Sequence, residues 1–373
     1  MKKQSLITII IFLIYTLLYI GCDQIENPVS EDNNILPETF SVDIPSALSQ
    51  DESTKKSTSG LDTLSGDEIY QYFTFFVRIG ESGAEIAEHI INAISGYHTD
   101  KPMVLTYESD DDGEIKNLVV VENSEFDGIM WEFQMTISEA DSKGKNKNDI
   151  CMQIFWNRKP VKGIAIIKPS CIDHVHHGHQ ENSMLRIDYS EAGEYGYDAH
   201  MIVYVDNLPI PPAFAKPYAL KTMKMFVGKK GDIIDLYGNS NHPNAFFFSD
   251  QISVGFNWAF VASANYAENI GVAEVGLPRN NINQSSRTIL LEEYSIKNVL
   301  TRALYEWNPD LPPELINAYL VNTETPGYFD AYGFVASGER PDEKYAELDV
   351  RLPDMCPYNP KDIKNLTISF KVD

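Results

Sequence analysis

Positive charge is what this chain lacks most: 30 lysines and arginines stand against 54 aspartates and glutamates, a formal net charge of −24. A nucleic-acid-binding face needs a basic stripe to displace counterions from phosphate, so no nucleic-acid partner is expected. The same deficit excludes docking on anionic lipid by charge alone. Cysteine is scarce, at four residues in 373. Nucleophile elbow, phosphate-binding glycine loop, dinucleotide fingerprint and zinc-protease helix are all missing, which lowers the expectation of an enzyme. Carboxylate pairs of the kind that hydrolyse glycosides are defined in space and leave no sequence trace, so a surface hydrolase stays open as an alternative. No internal repeat is visible. What is present is a hydrophobic content of 43%, enough for a packed core, with aromatics at 11%.

The N-terminus opens with Met1, Lys2 and Lys3, followed by an apolar run from Leu6 to Ile20. That run is short for a membrane-spanning helix and has the length of a signal-peptide core. It ends in Leu18-Tyr19-Ile20-Gly21-Cys22. This segment resembles the lipobox of bacterial lipoproteins, in which a small residue precedes the cysteine that is lipidated before cleavage. The resemblance covers only the first two dozen residues. It implies a signal peptide over 1–21, lipid on Cys22, and a lipid-anchored place in the bacterial cell envelope. Which membrane, and which leaflet, it leaves open. Residues 22–65 are acidic at first and then rich in serine and threonine, the composition of a flexible tether, with the apolar patch Phe40 to Leu48 as a stretch able to dock. Loss of Lys2 and Lys3 with the signal peptide makes the mature chain more acidic still, so membrane attachment falls to the lipid.

From Gly66 to Ile94, apolar residues recur at helical spacing: Ile69, Tyr72, Phe73 and Phe76, then Ile86, Ile90, Ile91 and Ile94. Gly80 and Gly83 predict a break into two pieces, the first of which also reads as a strand. From Met103 the period becomes two. Met103–Tyr107, Glu114–Val121, Ile129–Ile137, Ile150–Trp156, Val161–Ile167, Met184–Tyr189, Tyr197–Val205, Leu220–Val227 and Asp232–Tyr237 read as successive strands. The expected class is mainly β with flanking helices (α+β), an antiparallel meander forming a barrel, half-barrel or sandwich. Residues 66–280 would form this domain. Residues 281–373 would be a cap or second lobe, with an amphipathic helix over Ser286–Trp307, a short one over Glu314–Leu320 and an alternating strand over Leu366–Val372. The succession of helix and meander also resembles, in topology alone, the half-barrel lipoprotein carriers that hold acyl chains in a concave apolar sheet.

Four of the eight histidines fall in Asp173-His174-Val175-His176-His177-Gly178-His179-Gln180-Glu181. Neutral imidazoles crowded in one loop suit zinc or copper, with Asp173 or Glu181 as an oxygen ligand. The competing reading is a solvated polar loop between strands. Cys151 and Cys171 flank what reads as one hairpin and would face each other across its ladder, where an oxidising compartment permits a disulfide. Cys356 is then a leftover thiol. The run Glu108 to Glu114 has acids at alternate positions like a calcium loop, but Val119 stands where the closing bidentate acid belongs, so it reads as a hairpin turn. Leu236 to Ala245, which ends a strand in a polar turn and leads into Phe246-Phe247-Phe248, offers amides and an imidazole for a sugar or another polar ligand, or simply a turn over the core. Three functions follow: a lipid-anchored, non-enzymatic module that binds a hydrophobic or polar small ligand or an envelope protein; a metal-capturing lipoprotein using the histidines; and the hydrolase.

Overall fold

The structure is a computed structural model and describes residues 35–37, 39–50, 64–95, 102–109, 112–141, 146–177, 182–212, 216–247 and 255–371. The signal segment 1–21 and Cys22 lie outside them. A short strand β1 (Leu64–Ser65) leads into one helix, α1 (Gly66–Ser95). The meander follows as β2 (Met103–Glu108), β3 (Ile115–Phe126), β4 (Ile129–Ala140), β5 (Asn146–Arg158) and β6 (Val161–Ile167). Two single-turn helices, α2 (Pro169–Ile172) and α3 (His174–His177), interrupt it before β7 (Met184–Ser190) and β8 (Ala199–Asp206). It resumes with β9 (Thr222–Lys230), β10 (Ile233–His242), β11 (Phe256–Asn265) and β12 (Ile270–Gly276). After α4 (Ile296–Trp307) and α5 (Pro313–Tyr319), β13 (Leu320–Val321) pairs with β1, while β14 (Gly327–Asp330) and β15 (Gly333–Ser337) extend the large sheet. Two last short helices are α6 (Ala346–Asp349) and α7 (Pro360–Lys364).

Thirteen strands thus form one antiparallel sheet, each bonded to its neighbour in the chain from β2 to β12. Its outer members, β2 and β15, are not joined, so the sheet does not close into a barrel. Both faces are layered, which makes the sandwich-like member of the expected set the one the chain adopts. Tight connections do part of this: Asp127 and Gly128 between β3 and β4 both have positive φ, as a two-residue hairpin turn of matching twist requires.

Helix α1 is continuous, in contrast to the expected break at its glycines. Gly80 and Gly83 mark close approach to the sheet instead. A Cβ on Gly80 would come 2.6 Å from Met225 Cε, and one on Gly83 would touch Leu185. The helix therefore lies on the inner face of the sheet with Tyr70, Phe73, Phe76 and Val77 fully buried. The patch Phe40 to Leu48 docks beside it, burying Phe40, Val42, Ile44, Ala47 and Leu48 in the same core. Ile44 N–H donates to Glu81 on the helix at 2.9 Å, and Trp156 Nε1 donates to the Ile35 carbonyl at 2.6 Å. The concavity in which a half-barrel carrier would hold an acyl chain is, over these residues, filled by the chain itself.

The C-terminal third is spread over both faces. Val299, Leu300 and Leu304 of α4 join the inner core, whereas Tyr345, Leu348 and Leu352 cover the outer face of β11 and β12. Residues 366–371 keep the alternation the sequence shows but form no strand. They cross the outer face: Ile368 N–H donates to Asp206, Lys371 N–H donates to Gln153 at 2.7 Å, and Ile368 and Phe370 pack near Trp131 and Phe155. The segment runs over strands already paired on both sides, so side-chain carboxylate and amide groups take up its backbone.

Candidate functional site

The histidine loop is only partly a loop. His174 begins α3, and its Nε2 lies 2.5 Å from Glu139 Oε1 of β4, with both side chains mostly buried. Asp173 is buried and accepts the Val175 N–H at 2.9 Å, so it serves the turn. The side chains of His176 and His177, and all of His179, lie outside the described residues. Beneath α2 and α3 sits a second group. Lys116 Nζ donates to Asp112 Oδ2 at 3.0 Å and to the Cys171 carbonyl at 2.7 Å, with the Lys116 and Asp112 side chains 2% and 0% exposed. Burial alone would raise the Asp112 pKa. The Glu114 N–H and the Lys116 ammonium outweigh it, and the carboxyl is held below its usual range.

Cys151 of β5 and Cys171 are joined in a disulfide, with Cα atoms 4.9 Å apart. Cys171 is not on the ladder, however. It lies in α2 just past the end of β6, and Lys168 N–H donates to the Cys151 carbonyl at 2.8 Å as the chain turns back. Glu139 and the two sulfurs lie within 4.8 Å of one another. Sulfurs already bonded to each other offer no thiolate, so this trio is not a metal centre as it stands.

The expected polar turn after Tyr237 is strand instead. β10 continues to His242, and Asn239, Ser240, Asn241 and His242 are all buried. Asn257 Nδ2 donates to Asn239 Oδ1 at 2.7 Å, and Asn239 Nδ2 to the Tyr358 carbonyl at 2.8 Å. His242 Nδ1 donates to the Tyr218 carbonyl at 2.8 Å, leaving Nε2 to accept from Ser240 Oγ at 2.8 Å. These groups are consumed inside the fold and offer little to a ligand. Asn239 binds the C-terminal segment at Tyr358, while Asn241 bonds Asn257 of β11 and His242 bonds Ser240 and Tyr218.

A different surface brings aromatic and polar side chains together, on the outer face of β7 to β10. The register sets them in three rows: Arg186, Tyr204, Lys224 and Asn239; Asp188, Ile202, Phe226 and Tyr237; Ser190, His200, Gly228 and Asp235. Arg186 pairs with Asp127 and Asp188, each at 2.7 Å, and lies over the Tyr204 ring. Lys224 Nζ is held between the Tyr204 and Tyr358 rings at 4.9 and 4.3 Å. Burial pulls the Lys224 ammonium down and pushes the Asp188 carboxyl up, the latter against the pull of Arg186. Phe226 is 1% exposed and stacks on Tyr237.

The β7–β8 connection supplies the exposed part of this surface. Tyr195 has φ +57°, between Gly193 and Gly196, which also have positive φ. Its ring is 70% exposed and meets His200 and Phe226 edge-on, at 5.0 and 5.6 Å. Tyr197 lies over Gly228, where a Cβ would come within 2.7 Å of its ring, and donates to Asp235 at 2.9 Å. Lys162 and Glu194 close the rim in an ion pair at 2.6 Å. His200 is 5% exposed, and its Nδ1 has no hydrogen-bond partner among the described residues. Burial lowers its pKa despite Glu194 nearby, so the ring is neutral at pH 7. Sequence reading missed this surface. The available signal was that Tyr204 and Phe226 occupy the nominally polar parity of strands whose other parity carries Met201, Val203 and Val205 in β8 and Met223, Met225 and Val227 in β9.

No family model matches the chain, and neither a curated protein nor a solved structure matches it. Function must therefore be argued from the site.

Proposed function

We propose that this chain is a lipid-anchored protein of the bacterial cell envelope, held by lipid on Cys22, and that it acts as a non-enzymatic binding module. One observation carries the binding part of this reading. The inner face of the sheet is filled by α1 and residues 39–50, whereas the outer face keeps a large aromatic side chain exposed in a backbone conformation that does not favour it. A ligand then meets the protein on the outer face of β7 to β10. The anchor is supported by the Gly21-Cys22 ending of the apolar run and by an acidity that offers no electrostatic route to a membrane. Because Ile35 and Leu36 already belong to the core, the sequence between the anchor and the domain is residues 23–34, and the docked stretch up to Leu48 shortens the tether expected over 22–65. Labelling producing cells with radioactive palmitate tests the anchor. The wild-type chain is expected to take up label and Cys22→Ser to take up none; label unchanged in the variant contradicts the reading.

A second reading, metal capture, is favoured by the placing of His174 on α3 against the Glu139 carboxylate. Tag-free protein is expected to bind about one zinc or copper ion with this cluster. Replacing His174, His176, His177 and His179 together with alanine should abolish that binding. Stoichiometry unchanged in the fourfold variant removes this reading.

A further inference from the structure

Resting on the binding-module reading, we propose that the outer-face surface around Tyr195 is a binding site for a neutral saccharide, with the Tyr195 ring as its stacking platform. Three features lead there. The first is backbone strain. A bulky residue at positive φ is costly, and the chain places glycine at 193 and 196, also at positive φ, yet keeps tyrosine at 195. Folding gains little from a ring that is 70% exposed, so contact with something outside the chain is what the ring serves.

The second is charge. Arg186 is neutralised by Asp127 and Asp188, Lys162 by Glu194, and Lys224 is already seated between two rings. Among the described residues of this face, Asp188, Glu194 and Asp235 are already paired with Arg186, Lys162 and Arg351, and Lys224 is packed between rings, so an ion of either sign would have to displace an existing contact. A neutral ligand displaces none of these pairs. The third is the mixture of an apolar ring face with polar groups close by. A pyranose presents one face of C–H bonds to an aromatic ring and a perimeter of hydroxyls to donors and acceptors. Here the perimeter includes the Glu194 carboxylate and the His200 imidazole, whose buried Nδ1 is without a partner among the described residues.

The test is native affinity electrophoresis of the full mature chain in detergent, through gels containing dextran, laminarin, mannan or xyloglucan, with polygalacturonate as the anionic control. At least one neutral polymer is expected to retard the protein. Tyr195→Gly should weaken that retardation at least tenfold, and Tyr195→Phe, which keeps the ring, by no more than about threefold. Thermal melting of Tyr195→Gly is expected at or above the wild-type temperature, because glycine relieves the strained φ, so lost binding is not lost folding. Retardation by no neutral polymer, by polygalacturonate alone, or equally in wild type and Tyr195→Gly overturns the proposal. None of these outcomes bears on the Cys22 labelling, so the anchor stands or falls separately.

Discussion

Asp112→Ala is expected to cost about 3–5 kcal/mol of folding stability, the usual penalty for leaving a buried charge unpaired. Lys116 sits 2% exposed, where its ammonium is satisfied by Asp112 and the Cys171 carbonyl. Removing the carboxylate leaves one acceptor for a full positive charge beneath α2 and α3. The companion result separates this from simple loss of packing. In Asp112→Ala/Lys116→Met both charges are gone and a similar volume is kept, and stability should return to within about 1–2 kcal/mol of wild type. Urea unfolding followed by tryptophan fluorescence measures both. A single variant as stable as wild type would show that the pair is hydrated in solution.

The second large effect concerns acid. His242 is fully buried against Phe76 and Trp258, and burial lowers its pKa to about 3. In the unfolded chain its pKa is the ordinary 6.5. Between these values the unfolded state binds a proton that the folded state refuses, so this residue destabilises the fold as pH falls below about 6.5, with no further change once pH is below about 3. At about 1.4 kcal/mol per pH unit, it removes about 2 kcal/mol between pH 6.5 and 4.5. His242→Asn retains a donor for the Tyr218 carbonyl and does not titrate. Its stability over that range should therefore decline less steeply than that of wild type, by about that amount, in unfolding curves taken at several pH values. Parallel pH profiles would contradict the burial of an uncharged imidazole at this position.

Much of the sheet was legible because one strong signal dominates it. In β8, Met201, Val203 and Val205 alternate with His200, Tyr204 and Asp206, and in β9 Met223, Met225 and Val227 alternate with Thr222, Lys224 and Gly228. A period of two of this kind lets the antiparallel meander be read from the order of residues. The signal fails where the environment inverts. Asn239, Asn241 and His242 read as turn because they are polar, yet they are strand, since partners for their side chains arrive from far along the chain at Tyr358, Asn257 and Tyr218. Gly80 and Gly83 read as helix breakers because local propensity penalises glycine, but close packing on Met225 and Leu185 decides otherwise. The Asp112–Lys116 pair was hidden because an acidic turn and a strand lysine both look solvated until α2 covers them. The Tyr195 surface assembles from four strands and a loop, a grouping that only the register creates.

Lipid on Cys22 is the claim on which the envelope reading depends, and the mass of the N-terminal peptide of the mature protein tests it most directly. Protein is extracted from membranes of producing cells, digested, and its first peptide weighed. The expected peptide begins at Cys22 and carries the added mass of a diacylglyceryl group. A peptide beginning at Met1, or one that contains Cys22 as an unmodified thiol, would contradict it.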